Sequence, residues 1–157
     1  MGVIFSAGIA AWGTVIILFD ATYQRIPNWL TIPGVVIIWT VCLCSTPIGV
    51  GSVNMWDLSP FAIVGGVCWW LQIVLLGAFG GRRLRAGAGD AKLALSVGTL
   101  AASTGLGALG WFATVGLAGA FGVLSAALCR RSGGVPQGPA MVAGTGAVAL
   151  YATVCCA

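Results

Sequence analysis

Long apolar stretches without a charged residue are what most constrain the fold of this chain. No charged residue stands between Lys92 and Arg130, and none stands between Arg25 and Asp57. Of the 157 residues, 59% are apolar and 6% are charged, whereas about a quarter of a soluble domain is charged. A soluble fold of this size could not bury so much apolar surface. The sequence therefore predicts an integral membrane protein and excludes a soluble enzyme, a disordered tail and a nucleic-acid-binding module.

Six apolar segments are candidates for membrane-spanning helices, each of which takes about 20 residues. They are residues 3–19, 28–44, 59–80, a segment from 90 that fades within 103–107, residues 108–129, and a segment within 139–154. Asp20 is expected to end the first, and Ser59 and Pro60 are typical of an N-cap and a first helical residue. We therefore predict an all-α polytopic membrane protein with about six transmembrane helices, in which residues 1–157 form one domain.

The basic residues predict the orientation of these helices. All of them fall in the first, third and fifth loops: Arg25, Arg82, Arg83, Arg85, Lys92, Arg130 and Arg131. Cytoplasmic loops carry the excess of Lys and Arg. We therefore expect both termini to lie outside a cytoplasmic (inner) membrane and these three loops to lie inside.

The absence of histidine and the arrangement of the cysteines remove several kinds of site. Without histidine there is no Ser–His or Cys–His nucleophile and no His-containing metal centre. The six cysteines form no CxxC pair, and most lie in or beside apolar segments, where a free cysteine packs as a small apolar residue. For Cys155 and Cys156, an intermolecular disulfide or an attached lipid stays open.

Two of the three aspartates are predicted to reach the same membrane face. Asp20 ends the first span and Asp90 begins the fourth, both on the cytoplasmic side, whereas Asp57 lies in an outward loop that water can solvate. Ionisable residues at a membrane helix end are costly and suggest function. Two adjacent carboxyls cannot both ionise easily. One can then take a proton from water while the other polarises a carbonyl, which is the chemistry of aspartyl hydrolysis.

The residues around each aspartate admit both a functional and a structural interpretation. Gly87 and Gly89 would let an extended peptide approach Asp90, but small residues also favour close helix packing. Lys92 is not a natural ion-pair partner of Asp90 and is expected to extend to the membrane interface. Pro27 and Asn28 suit the start of a helix, with Asn28 as its cap.

At these residues the sequence resembles the type IV prepilin peptidase family of GxGD membrane aspartyl proteases. Asp20 stands eight residues before the Asn of an Ile26-Pro27-Asn28 segment, and residues 87–92 read GAGDAK, which fits GxGDxK. A third feature of the family is a Pro-aromatic-Gly-Pro turn before the last helix. It is matched at Pro136, Gly138 and Pro139, with Gln137 in place of the aromatic residue.

The resemblance implies an aspartic endopeptidase that removes the short basic leader of a prepilin-like precursor at the cytoplasmic face. It implies Asp20 and Asp90 as the catalytic pair, and a substrate-binding role for the following residues: Pro27, Asn28, Gly87, Gly89 and Lys92. The first loop is short and has no cysteine, which implies a minimal, peptidase-only form similar to those of Flp (tight-adherence) pili or preflagellins. No metal, methyl-donor cofactor or nucleic acid is implied. The expected partners are the precursor and membrane lipid, and small-residue faces permit a homo-oligomer.

Two other interpretations are weighed against this one. A catalytically silent relative would bind pilins without cutting them, but intact Asp20 and Asp90 argue against it. A small proton or solute transporter would use the paired acids as part of an ion path. It would need polar groups at the bilayer midplane, where the sequence offers scattered Ser and Thr and Gln72.

Overall fold

A computed structural model describes residues 2–23, 25–45, 58–79, 87–129 and 137–155 of the chain. These residues form six helices: α1 (Gly2–Tyr23), α2 (Asn28–Cys44), α3 (Ala62–Phe79), α4 (Ala88–Ala102), α5 (Gly107–Cys129) and α6 (Gly138–Cys155). The predicted all-α class is confirmed. By length and apolar composition, α1, α3, α5 and α6 qualify as membrane spans, whereas α2 is a shorter apolar helix of 17 residues. The outward placement of the termini stays a prediction.

Three predicted helix boundaries are wrong by about half a turn to one turn. The first helix does not end at Asp20 but continues to Tyr23. This last turn is supported by the Thr22 hydroxyl, which donates to the Leu18 carbonyl at 2.7 Å, and by the rings of Phe19 and Tyr23, whose centroids are 5.6 Å apart. Residues three and four apart lie on one helix face, so these contacts extend the helix beyond the aspartate.

The third helix begins later in the sequence than predicted, and the fourth begins earlier. Ser59 and Pro60 lie in a turn, in which the Ser59 carbonyl accepts the Ala62 N–H at 3.0 Å, and α3 begins only at Ala62. In contrast, α4 begins at Ala88, so Asp90 is its third residue rather than its first. Gly87 takes the N-cap position in front of it.

Helix α4 forms the centre of the bundle. It contacts α2, α3, α5 and α6, and most of its residues are buried: Asp90, Leu93, Ala94, Ser96, Val97, Gly98, Thr99, Leu100 and Ala101. Its closest neighbour is α3, because Gly65 and Gly66 face Gly98 with no side chains between the two backbones. Small residues at such contacts are the usual means by which membrane helices approach closely.

Tryptophan side chains connect α2 and α5 to this centre. The indole N–H of Trp39 in α2 donates to Thr99 Oγ1 in α4 at 3.1 Å, and that of Trp111 in α5 donates to the Gly65 carbonyl at 3.0 Å. Each bond joins two helices through a polar atom that membrane lipid could not satisfy. The indoles therefore fix the positions of α2 and α5 against α3 and α4.

Helices α4 and α5 contact each other and are joined by a turn over residues 103–106. Gly107 begins α5 with φ of 55°, a left-handed conformation that glycine adopts without a steric penalty. The boundary expected near residues 103–107 is thus confirmed. Helix α4 has 15 residues and α5 has 23, so the two differ in length by about two turns.

The end of α1 and the starts of α2, α4 and α6 meet at one end of the bundle, which we call the site end. Ile26, in the short connection between α1 and α2, lies against Gly89 of α4 and Gly138 of α6. It is 8% exposed. This single buried side chain therefore brings together segments that are more than a hundred residues apart in sequence.

Candidate active site

Asp20 is buried at the site end. It lies in α1, one turn before the helix ends, and is 4% exposed. The backbone N–H of Gly138 is hydrogen-bonded to its carboxyl group, while Oδ2 has no hydrogen-bond partner among the described residues. An unsatisfied buried oxygen is unusual in a folded protein and calls for an explanation.

Asp90 is buried near Asp20 but has a different local contact. It is 9% exposed, and its Oδ2 accepts a hydrogen bond from the backbone N–H of Gly87 at 3.1 Å. An acidic side chain at the third helical position often reaches back to the N-cap N–H in this way. The contact also places the acidic side chain at the positive end of the helix dipole, which is a favourable position for it. Helix capping thus accounts for part of the position of Asp90.

The two carboxyl groups are buried at the same end of the bundle, where α1 ends and α4 begins. Asp20 is close enough to act on Asp90 electrostatically, although seventy positions separate the two residues. The shared neighbour is α6, which contacts both α1 and α4. Two like charges in such a site favour a state in which one group is protonated and the other ionised. The sequence-predicted pair is therefore brought to one end of the fold.

Gly138 and Ile26 complete the surroundings of Asp20. A Cβ placed on Gly138 would lie 2.6 Å from Asp20 Oδ2 and 2.9 Å from Ile26 Cδ1. Ile26 also covers Gly89, whose Cβ would lie 3.3 Å from that of Ile26. The sequence interpretation did not treat Gly138 or Ile26 as site residues. The available signals were the Ile-Pro-Asn segment and the Gly-Pro pair at the start of the last helix.

A comparison with known families decides the classification of the chain. Residues 7–129 match the model of the type IV leader peptidase family, a range that covers most of the sequence and includes both Asp20 and Asp90. The chain belongs to the type IV leader peptidase family. Membership of this family gives the chain a protease-like function. The family and the long apolar helices together indicate that this leader peptidase relative is a membrane protein. Comparison with curated proteins and with solved structures gives no match.

The structure places the other predicted residues of this leader peptidase relative in two groups. Gly87 is exposed at the N-cap of α4, where a peptide backbone can approach, whereas Gly89 is packed against Ile26. The packing interpretation therefore applies to Gly89. For Gly87, a substrate role stays a prediction.

Lys92 and Asn28 contact each other rather than either acid. The Lys92 ammonium donates to Asn28 Oδ1 at 2.8 Å, which joins the first turns of α4 and α2. The expectation that Asn28 caps α2 is wrong, because Pro27 occupies the N-cap and its carbonyl accepts the N–H groups of Leu30 and Thr31. Asn28 is the first helical residue and its side chain does not cap the helix. Its amide oxygen instead accepts the hydrogen bond from Lys92.

Several sequence predictions fall outside the residues that the structure describes. These include Asp57, the five arginines beyond Arg25, Pro136 and Cys156. Cys155 is an exposed free cysteine at the end of α6. For these positions the expectations from sequence stay as stated.

Proposed function

We propose that this chain is an aspartyl endopeptidase that removes the short basic leader of a prepilin-like precursor at the cytoplasmic face of the membrane. Asp20 and Asp90 form its catalytic pair. The observation that carries the proposal is the burial of two carboxyl groups, from distant parts of the sequence, at one end of an otherwise apolar bundle. The family to which the chain belongs supports a peptidase function.

The pair would work as a unit that shares one proton. The ionised carboxylate takes a proton from water, and the resulting nucleophile adds to the scissile carbonyl carbon while the protonated carboxyl hydrogen-bonds to the carbonyl oxygen. Collapse of the tetrahedral intermediate breaks the C–N bond, and a proton passes from the pair to the leaving amine. Because the two groups titrate together, we assign neither role to one aspartate.

A purely structural role explains Asp90 better than it explains Asp20. The bond from Gly87 makes Asp90 a helix cap, but the buried Oδ2 of Asp20 has no such partner within the part of the chain that the structure describes. Burying a polar oxygen without a hydrogen bond is unfavourable. A reactive role for Asp20, in which Oδ2 exchanges a proton with water or substrate, gives this oxygen a partner during the reaction.

The interior hydroxyl groups argue against a transporter. The buried Ser and Thr side chains of the helices donate to carbonyls of their own helix: Thr31, Ser96, Thr99, Thr114 and Thr145. Ser103 and Thr104, just after α4, do the same. Hydroxyls whose donors are used by the local backbone do not form a continuous polar path through the described part of the bundle. The paired acids are then better explained by chemistry at the site end.

Cleavage of a co-expressed precursor tests the proposal. Membranes containing wild-type protein, Asp20→Asn, Asp90→Asn or Asp57→Asn would be combined with a panel of prepilin-like precursors, and precursor length would be read by mass spectrometry. Asp57→Asn is the matched control because it removes the remaining acid of the chain. We expect wild type and Asp57→Asn to shorten a precursor, and Asp20→Asn and Asp90→Asn to leave it at full length at equal membrane abundance.

Two results would contradict the proposal in different ways. Normal cleavage by Asp20→Asn or Asp90→Asn would exclude the aspartyl pair as the catalyst. Binding of a precursor by the wild-type protein without any cleavage, across the panel, would instead favour the catalytically silent relative.

A further inference from the structure

Gly138 occupies a position where any side chain would meet the reacting group. It is the first residue of α6, it is buried, and its backbone N–H is bonded to the Asp20 carboxyl. A Cβ at this position would lie 2.6 Å from Asp20 Oδ2 and 2.9 Å from Ile26 Cδ1. Both distances are shorter than non-bonded contacts to a methyl group allow. With Asp20 and Ile26 in their observed positions, there is therefore no room for a side chain at residue 138.

We propose that Gly138 is a positioning residue for Asp20, and that Ile26 is the spacer that transmits this position to α4. This inference rests on the proposed function, because it concerns the placement of one member of the catalytic pair. Ile26 contacts Gly138 on one side and Gly89, the neighbour of Asp90, on the other. The series Gly138, Ile26, Gly89 thus joins the two helix starts next to the two acids, and it fixes how far apart the carboxyls stand.

The atoms that surround Gly138 predict a loss of activity without a loss of stability. An added methyl group meets the end of the Asp20 side chain and the terminal methyl of Ile26, both of which can rotate away. By contrast, a Cβ on Gly144, further along α6, would meet the backbone oxygen of Thr114 at 3.0 Å, which cannot. Gly138→Ala is therefore expected to fold normally with a displaced carboxyl. Misplacement of a reacting group by about 1 Å can lower a rate about 100-fold.

The experiment compares Gly138→Ala with Gly146→Ala, a change on the same helix at a position with open space around it. The substrate is a precursor that the wild-type protein cleaves, and kcat, KM, the pH profile and thermal unfolding are measured in detergent. We expect kcat of Gly138→Ala to fall by about 10- to 100-fold, with KM and unfolding close to those of Gly146→Ala. Displacement of the Asp20 carboxyl in Gly138→Ala is also expected to shift the pH profile of kcat. Adding Ile26→Val removes Cδ1, one of the two contacted atoms. It is expected to restore part of the lost kcat and to return the pH profile toward that of the wild type.

The outcomes distinguish this inference from the proposed function. Cleavage by Gly138→Ala at the rate of Gly146→Ala, while Asp20→Asn is inactive, would overturn the positioning role and leave the aspartyl pair intact. A fall in kcat matched by an equal loss of thermal stability would also overturn it, because Gly138 would then be a packing residue. Loss of kcat that Ile26→Val does not relieve at all would overturn the role of Ile26 as the spacer. If Asp20→Asn itself cleaves, the proposed function fails first.

Discussion

Replacing Gly66 with alanine should destabilise the bundle, because this glycine is where α3 and α4 come closest. A Cβ on Gly66 would collide with the Leu95 carbonyl oxygen and with Thr99 Oγ1. The carbonyl belongs to the backbone of α4 and cannot rotate away, so the two helices must separate. Gly77, on the same helix, has nothing within 4 Å of its Cβ position. Gly77→Ala is therefore the matched control.

The size of the effect follows from two opposing contributions. Overpacking of a tight contact costs about 1–3 kcal/mol, whereas alanine is favoured over glycine within a helix by about 0.5–1 kcal/mol. Gly66→Ala is thus expected to lower the free energy of unfolding by about 1–2 kcal/mol. Gly77→Ala should raise it by about 0.5–1 kcal/mol, so the two variants should differ by about 2 kcal/mol.

Thermal unfolding in detergent micelles, followed by tryptophan fluorescence, measures this difference. For a chain of this size, about 2 kcal/mol corresponds to a separation in Tm of roughly 4–8 °C, with Gly66→Ala melting first. Equal Tm values, or a higher Tm for Gly66→Ala, would refute the close approach of α3 and α4. The central position of α4, and with it the placement of Asp90, would then need revision.

Two further predictions concern orientation and the two glycines before Asp90. Two variants that each keep one cysteine, either Cys155 or an introduced Arg25→Cys, test the orientation. Both positions are exposed, at opposite ends of the bundle, so a membrane-impermeant maleimide added to intact cells should label only the outer one, which we predict to be Cys155. Labelling of Arg25→Cys instead would invert the proposed topology. Gly89→Ala should slow precursor cleavage more than Gly87→Ala, because a Cβ at 89 lies 3.3 Å from that of Ile26 whereas Gly87 is exposed. Rates measured on one precursor decide this, and a greater loss with Gly87→Ala would instead favour substrate approach at that residue.

The helical class and the helix count could be predicted because lipid imposes a simple rule on sequence. Each helix has to satisfy its own backbone groups and present apolar side chains, so polar interruptions mark its ends. The errors occurred where local contacts outweigh that rule, as at Asp20, which the helix passes because Thr22 and Tyr23 stabilise another turn. Asp90 was misplaced within its helix because a glycine N-cap carries little signal in a chain with 25 glycines.

The burial of two acids at one end of the bundle could be predicted, but the residues that surround them could not. A carboxylate within an apolar sequence is conspicuous, and the basic residues predict the membrane face on which it lies. The contact of Ile26 with both Gly89 and Gly138 depends on the three-dimensional arrangement of three chain segments. Isoleucine and glycine are common in this sequence. The residue type alone therefore does not distinguish these positions from the many others of the same type.

Helix α4, which carries Asp90, is shorter than the membrane that it would cross. It has 15 residues and its neighbour α5 has 23, so at 1.5 Å per residue α4 is about 22 Å long and α5 about 34 Å. The hydrocarbon core of a bilayer is about 30 Å thick. The two ends of α4 cannot both reach a membrane surface, so the longer helices around α4 have to separate its polar first turn from lipid.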